Sequence, residues 1–265
     1  MKYKFSKEDH VHKLIDEENG NEILLTGTTS VLDVLAKPLT WWASGLAVQK
    51  LGWHPRKVDD RYVAKDVRLN HTAGEFKRIK GMSDEEYFNL LDEAYSAHND
   101  SKNKSAKGGT ELHQKVEDWV NAKIRGESPE YDPQIKPLVD WAERNVQQFL
   151  WSEIHLYSTE HHLGGITDIG FMDKEGRIAI LDIKSSKEAY ISQFIQCAGY
   201  DIQLSENGGY SSDGEKVFDL KGHPISYYAI LPFGMRYPEV QIRHDTKQLK
   251  EAFLHALALS RILKG

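Results

Sequence analysis

The chain has a single cysteine, Cys197, in 265 residues. No internal disulfide can form, and neither a four-cysteine zinc site nor a cysteine-held iron–sulfur cluster is possible. Long hydrophobic runs are also missing: nothing approaches the roughly 18 consecutive apolar residues that suggest a spanning helix. The opening stretch "MKYKFSKEDHVHKLIDEENG" has no apolar signal core. These absences lead us to expect a cytoplasmic protein with no membrane partner. A basic excess is lacking too, since the formal net charge is -6 and the pI is near 6.1. The chain thus carries no global basic signature for nucleic acid, which counts mildly against such a partner, although a local basic groove can sit on an acidic protein. We find no internal repeat, no low-complexity segment and no G-x-x-x-x-G-K-[ST] phosphate loop, which excludes a helicase motor.

What remains is ordinary globular composition, 40% hydrophobic and 28% charged. "NEILLTGTTSVLDVLAKPLTWW" predicts a strand, a Thr29/Ser30 cap, a short helix stopped near Pro38 and a second helix carrying Trp41 and Trp42. That aromatic pair suits core packing or, less commonly, stacking on bases. Residues 84 to 98 predict an amphipathic helix with acids in its first turn. "NDSKNKSAKGGT" then reads as a polar loop carrying Lys102, Lys104 and Lys107, either a solvated connector or a phosphate-contacting loop. Thr110 is expected to cap the next helix, in which His113 and Glu117 lie four apart beside an apolar stripe of Leu112, Val116, Trp119 and Val120. "DPQIKPLVDWAERNVQQFL" predicts a further helix.

From residue 151 the apolar period changes to two, which predicts three consecutive strands, then a helix over "AYISQFIQCAGYDIQLS", two more strands and a closing helix. This order gives an α/β or α+β fold with a central mixed sheet flanked by helices. We expect one domain over 1–265. Residues 1–107 would be a mainly helical N-terminal region ending in the basic loop, and 108–265 would be the core.

The chemistry begins at a hairpin. "DKEG", residues 173 to 176, has the Asp and Gly positions of a type I turn followed by a left-handed glycine. Folding about it brings Asp168 beside Asp182 on adjacent strands. Ile178, Ile180, Asp182 and Lys184 share one strand face, and Ala179, Leu181 and Ile183 the other. Both faces are apolar, so both are expected to be covered, with Asp182 and Lys184 at the rim of a dry sheet. Two carboxylates there repel each other and lose hydration unless a cation compensates. An all-oxygen site suits magnesium or manganese, and an adjacent lysine suits phosphoryl transfer. Acid-any-Lys occurs also at Glu75/Lys77, Asp100/Lys102, Asp219/Lys221 and Asp245/Lys247. Only Asp182/Lys184 ends a long apolar strand, and a strand-end salt bridge is its structural alternative.

"GGITDIGF", "AILDIKSS" and "QCAGY", in that order and preceded by "GTELHQKVE", resemble the RecB-like branch of the PD-(D/E)XK nuclease superfamily. The matching motifs span residues 108 to 204, and "TSVLDVL" is similar to that branch's N-terminal segment. The resemblance implies a restriction-endonuclease-like core. It implies metal ligation by His113, Asp168, Asp182 and the Ile183 carbonyl, with Lys184 positioning water or stabilising charge. His113, Asp168, Asp182 and Lys184 would then be catalytic, and Gln196 and Tyr200 would face the scissile strand's phosphates. Glu153, Glu117 and Gln193 take supporting places, and Gln193 and Gln203 also fit ordinary solvated positions. The superfamily's proline is missing before Asp168, where Ile166 and Thr167 stand. The implied activity is that of a stand-alone DNA exonuclease of recombination or DNA processing. It would use one or two magnesium or manganese ions and no iron–sulfur cluster, with DNA and a single-strand annealing or recombination protein as partners. A DNA-binding module without catalysis, a structure-specific endonuclease and a carboxylate-pair glycoside hydrolase are the rival readings.

Overall fold

The computed structural model describes residues 2–6, 8–9, 11–35, 40–51, 57–58, 61–62 and 73–264. The chain divides into two compact units, Met1–Ala36 with Gly109–Gly265, and Lys37–Gly108. One edge of this division falls between Gly108 and Gly109, one residue from the expected boundary at 107/108. The first 36 residues, expected to belong with the helical region, instead belong with the core.

The first unit opens with strands β1 (Lys2–Ser6), β2 (Val11–Ile15) and β3 (Glu22–Gly27), followed by the one-turn helix α1 (Thr28–Val31) and a 3-10 turn, Leu32–Leu35. The second unit contains α2 (Thr40–Lys50), a short ladder of β4 (Lys57–Val58) with β5 (Arg61–Tyr62), α3 (Ala73–Lys80) and the start of α4 (Asp84–Ile124). The side chains of Trp41, Trp42, Lys102, Lys104 and Lys107 lie outside the described residues. From Gly109 onward the first unit resumes with the rest of α4, then α5 (Lys136–Asn145), β6 (Val146–Ser158), β7 (Leu163–Asp173) and β8 (Ile178–Lys184). It continues with α6 (Ile191–Asn207), β9 (Gly209–Tyr210), β10 (Lys216–Phe218), β11 (Ile225–Pro232), β12 (Gln241–Arg243) and α7 (Thr246–Lys264). The fold is α+β, with a large mixed sheet flanked by helices.

Several local expectations are corrected. The stretch read as a lysine-rich loop is helical throughout, within the 41-residue α4, so Thr110 is not a cap. Lysine and alanine favour helix, and the glycines at 108 and 109 each oppose it by only about 1 kcal/mol. The amphipathic segments on either side carry the helix through. Its start is set by Ser83 and Glu86, a reciprocal capping box in which each residue's backbone N–H is bonded by the other's side chain. The helix expected over 132–150 stops at Asn145, where β6 begins. Gly27, not Thr29 or Ser30, is the cap of α1.

In the first unit the strands run β1-β2-β3-β7-β6-β9-β10, with β8, β11 and β12 branching from β7. The turn at 173–176 is the one the sequence predicts: Gly176 has φ +79° and its N–H bonds the Asp173 carbonyl at 3.0 Å. Strands β8 and β11 are parallel, and β7 and β8 antiparallel. The alternation also holds. Ile178 and Ile180 pack with Cys197, Ala198 and Phe253 of α6 and α7. Ala179, Leu181 and Ile183 pack with Val116, Trp119 and Leu138 of α4 and α5. Each large side chain buried this way contributes about 1.5–3 kcal/mol of transfer free energy.

One edge of β7 is shared between two partners. β3 pairs with it only at Leu163 and Gly164, and β8 only at 169–172. Between them the sheet forks, and the fork ends at Asp168. Gly165 makes the inner wall possible, because a Cβ there would lie 2.7 Å from Thr28 Oγ1 and 3.0 Å from Tyr200 Cε1.

Candidate metal centre

At the fork, the carboxylate of Asp168 takes over the missing ladder contact: its Oδ2 accepts the Ile183 N–H at 2.7 Å. His113, on α4, brings Nε2 to 3.1 Å from the Ile183 carbonyl oxygen. A carbonyl only accepts, so the ring carries its proton on Nε2, and in the neutral ring Nδ1 presents a lone pair. That nitrogen stands 3.9 Å from Asp168 Oδ2, too far for a hydrogen bond. A histidine whose far N–H is held by a backbone carbonyl is the usual arrangement for a metal ligand.

Glu153 completes the group. Ser152 pairs with Ile169 and Ile154 with Thr167, which puts Glu153 opposite Asp168 across the β6–β7 ladder. One ligand atom from each of His113, Glu153 and Asp168 lies within 4.8 Å of the other two, the single such group among the described residues. Glu153 has φ +47°, in the left-handed region that costs a non-glycine residue about 1–3 kcal/mol. The strain has a visible effect. Trp151 and Ile154, three residues apart, face the same core cluster, which a regular strand would not allow.

Beside this trio, Asp182 is 1% exposed. Its Oδ2 meets Lys184 Nζ at 2.6 Å. Its Oδ1 has no hydrogen-bond partner among the described residues. Burial pushes the Asp182 carboxyl up to about 6, against the pull of Lys184 and with the Asp168 charge adding to the rise. Burial works against the Lys184 ammonium, but the Asp182 and Asp168 charges outweigh it and hold that group above the ordinary lysine value. Tyr200, 4% exposed, has its phenol raised by burial and then by the Asp182 charge.

Because the folded state binds the Asp182 proton more tightly than the unfolded chain does, this group's contribution to stability is present below its unfolded value near 4. It is lost as pH rises through about 6. In urea unfolding with EDTA, the stability of wild type relative to Asp182→Asn should fall from about pH 4 to about pH 7. Parallel profiles would count against this environment.

The sequence-predicted residues thus divide. His113, Asp168, Asp182, Ile183 and Lys184 come together. Glu153, read as a supporting acid, stands among the ligating atoms, whereas Asp182, read as a principal ligand, is paired with Lys184 beside them. Ile183 meets His113 through its carbonyl and Asp168 through its N–H. Gln193 is a cap: it bonds the Tyr190 N–H and Ser186 at the start of α6. Gln203 is fully buried against Thr28 and the Gly199 carbonyl and is not solvated. Glu117 is bonded by Gln114 of its own helix and is not in the cluster. Gln196 and Tyr200 are buried and bonded to each other.

Three electron-rich side chains within 4.8 Å, with an unpartnered carboxylate oxygen on the adjoining buried aspartate, fit a hard divalent cation. No protein-family model matches this chain, and no curated protein matches it. No helix among the described residues is long and apolar enough to cross a membrane.

Proposed function

We propose that this protein is a magnesium- or manganese-dependent DNA nuclease, an exonuclease of the RecB-like PD-(D/E)XK kind on a restriction-endonuclease-like core, acting in recombination or DNA processing. The observation that carries the reading is the convergence of His113, Glu153 and Asp168 beside the buried Asp182–Lys184 pair. Such a site gathers negative charge that only a cation offsets, and it keeps one ammonium at hand for a phosphate.

His113, Glu153 and Asp168 would hold the ion, with Asp182 adding charge from beneath. Bound there, the ion supplies positive charge to phosphate oxygens and lowers the pKa of water. Lys184 stays protonated against Asp182 and offsets the negative charge that grows as the phosphodiester is attacked. Ile183 fixes the orientation of His113 and Asp168 through its own backbone. Tyr200 supplies a neutral hydroxyl beside the same charges.

End-labelled linear, nicked and circular DNA incubated with the protein tests this directly. Linear DNA should release labelled nucleotides with magnesium or manganese, circular DNA should survive, and EDTA should stop the reaction. Intact linear DNA under every metal condition would exclude the reading, and cut circles would replace exonuclease with endonuclease.

A further inference from the structure

Strands β8 and β11 run parallel, so the loops that follow them leave the sheet at the same end, where Lys184 stands opposite Pro232. Backbone hydrogen bonds tie the two loops together. The Phe233 N–H donates to the Lys184 carbonyl at 2.7 Å, and the Gly234 N–H to the Ser186 carbonyl at 3.0 Å. A Cβ at Gly234 would collide with the Ser185 and Ser186 carbonyl oxygens, so this close approach requires glycine. Pro232 and Pro238 bracket the segment and restrict its backbone from both sides. The stretch "PFGMRYP" is thus a short, stiff loop fixed to the backbone of Lys184.

The loop presents Arg236 and Tyr237. Tyr237 is 75% exposed, and the Arg236 guanidinium lies over its ring, 5.4 Å from the centroid. Among the six arginines of residues 109–265, Arg125, Arg144, Arg177, Arg243 and Arg261 each bond a carboxylate or carbonyl oxygen. Arg236 has no hydrogen bond or ion pair among the described residues, so its donors are open to an anion. Tyr237 lies five residues beyond Pro232, at most about 18 Å of chain, or about five steps along a DNA strand. An aromatic side chain stacks on a base that is not stacked within a duplex, so such a ring selects an unpaired strand. We infer that Arg236 and Tyr237 form a subsite for a single-stranded segment of the DNA, in which Arg236 holds a backbone phosphate and Tyr237 stacks on an unpaired base. This rests on the nuclease reading, to which it adds a strand preference.

The test measures affinity for a fluorescent single-stranded oligonucleotide and for a blunt duplex of the same length, in EDTA, where turnover is absent. Wild type is compared with Tyr237→Ala, Tyr237→Trp and Arg236→Gln. Both side chains are exposed, so these substitutions do not challenge folding. Tyr237→Ala should weaken single-strand binding at least about fivefold, the loss of one stacked base, and leave duplex binding unchanged. Tryptophan should preserve both. Arg236→Gln should reduce the slope of log affinity against log salt for the single strand by about 0.7, one phosphate's share. Wild-type single-strand affinity in Tyr237→Ala, an equal loss on the blunt duplex, or an undiminished salt slope in Arg236→Gln would overturn the subsite while leaving the nuclease reading intact. A wild-type chain that neither cleaves nor binds DNA would overturn both.

Discussion

Glutamine in place of Glu153 is expected to lower DNA cleavage by roughly a hundredfold or more, about 3 kcal/mol of transition-state stabilisation. Glutamine keeps the size of the side chain and its place opposite Asp168, but it brings no charge to a shared cation. In the wild-type chain, manganese at about a hundred times its dissociation constant should add about 2.7 kcal/mol of stability, a rise of several degrees in Tm. Glu153→Gln should lose most of that rise. Its EDTA-treated form should be at least as stable as wild type, since a carboxylate close to Asp168 has been neutralised. Near wild-type cleavage and an unchanged manganese response would return Glu153 to the supporting role read from the sequence. The left-handed backbone at that residue would then need another explanation.

Methionine in place of Lys184 is the second large effect, with cleavage expected to fall by about a thousandfold, as for loss of a charge that acts on the transition state. The stem is kept and the ammonium removed, so Asp182 is left buried without its counter-ion. Breaking one side of a buried pair costs about 3–5 kcal/mol. Here the cost has a pH signature. Without Lys184 the Asp182 carboxyl moves further above about 6. The variant should therefore be much less stable than wild type at about pH 8 and regain part of the loss near pH 5, where Asp182 takes up a proton. Equal losses at both pH values would mean that the ion pair does not govern Asp182. Cleavage within tenfold of wild type would mean that Lys184 serves packing alone.

Both variants bear on how much the sequence disclosed. The turn at "DKEG" and the alternation through Ile178–Lys184 are local, so the pairing of β7 with β8 and the burial of both faces were legible. Asp182 beside Lys184 followed from that register. Glu153 was not placed so well, because its position depends on the β6–β7 register across residues 159–162 and on a backbone reversal that no propensity signals. The hairpin of β1 and β2 was missed because its inward residues, Tyr3, His12 and Leu14, include a histidine and lie among lysines and acids that read as a polar start. Asn99 to Thr110 read as a loop because local composition could not show that flanking helical segments continue through it. Tyr200 was expected on a substrate-facing stripe, and its burial depends on Gly165 being opposite it, a contact between distant segments.

Manganese binding followed by electron paramagnetic resonance, in wild type and in Asp168→Asn, tests whether His113, Glu153 and Asp168 hold a metal ion. The geometry of His113, Glu153 and Asp168 predicts saturable binding in the wild-type chain and a loss of at least about tenfold in affinity when Asp168 loses its charge. No binding at millimolar manganese, or binding of equal strength in the two proteins, would contradict the existence of this metal centre.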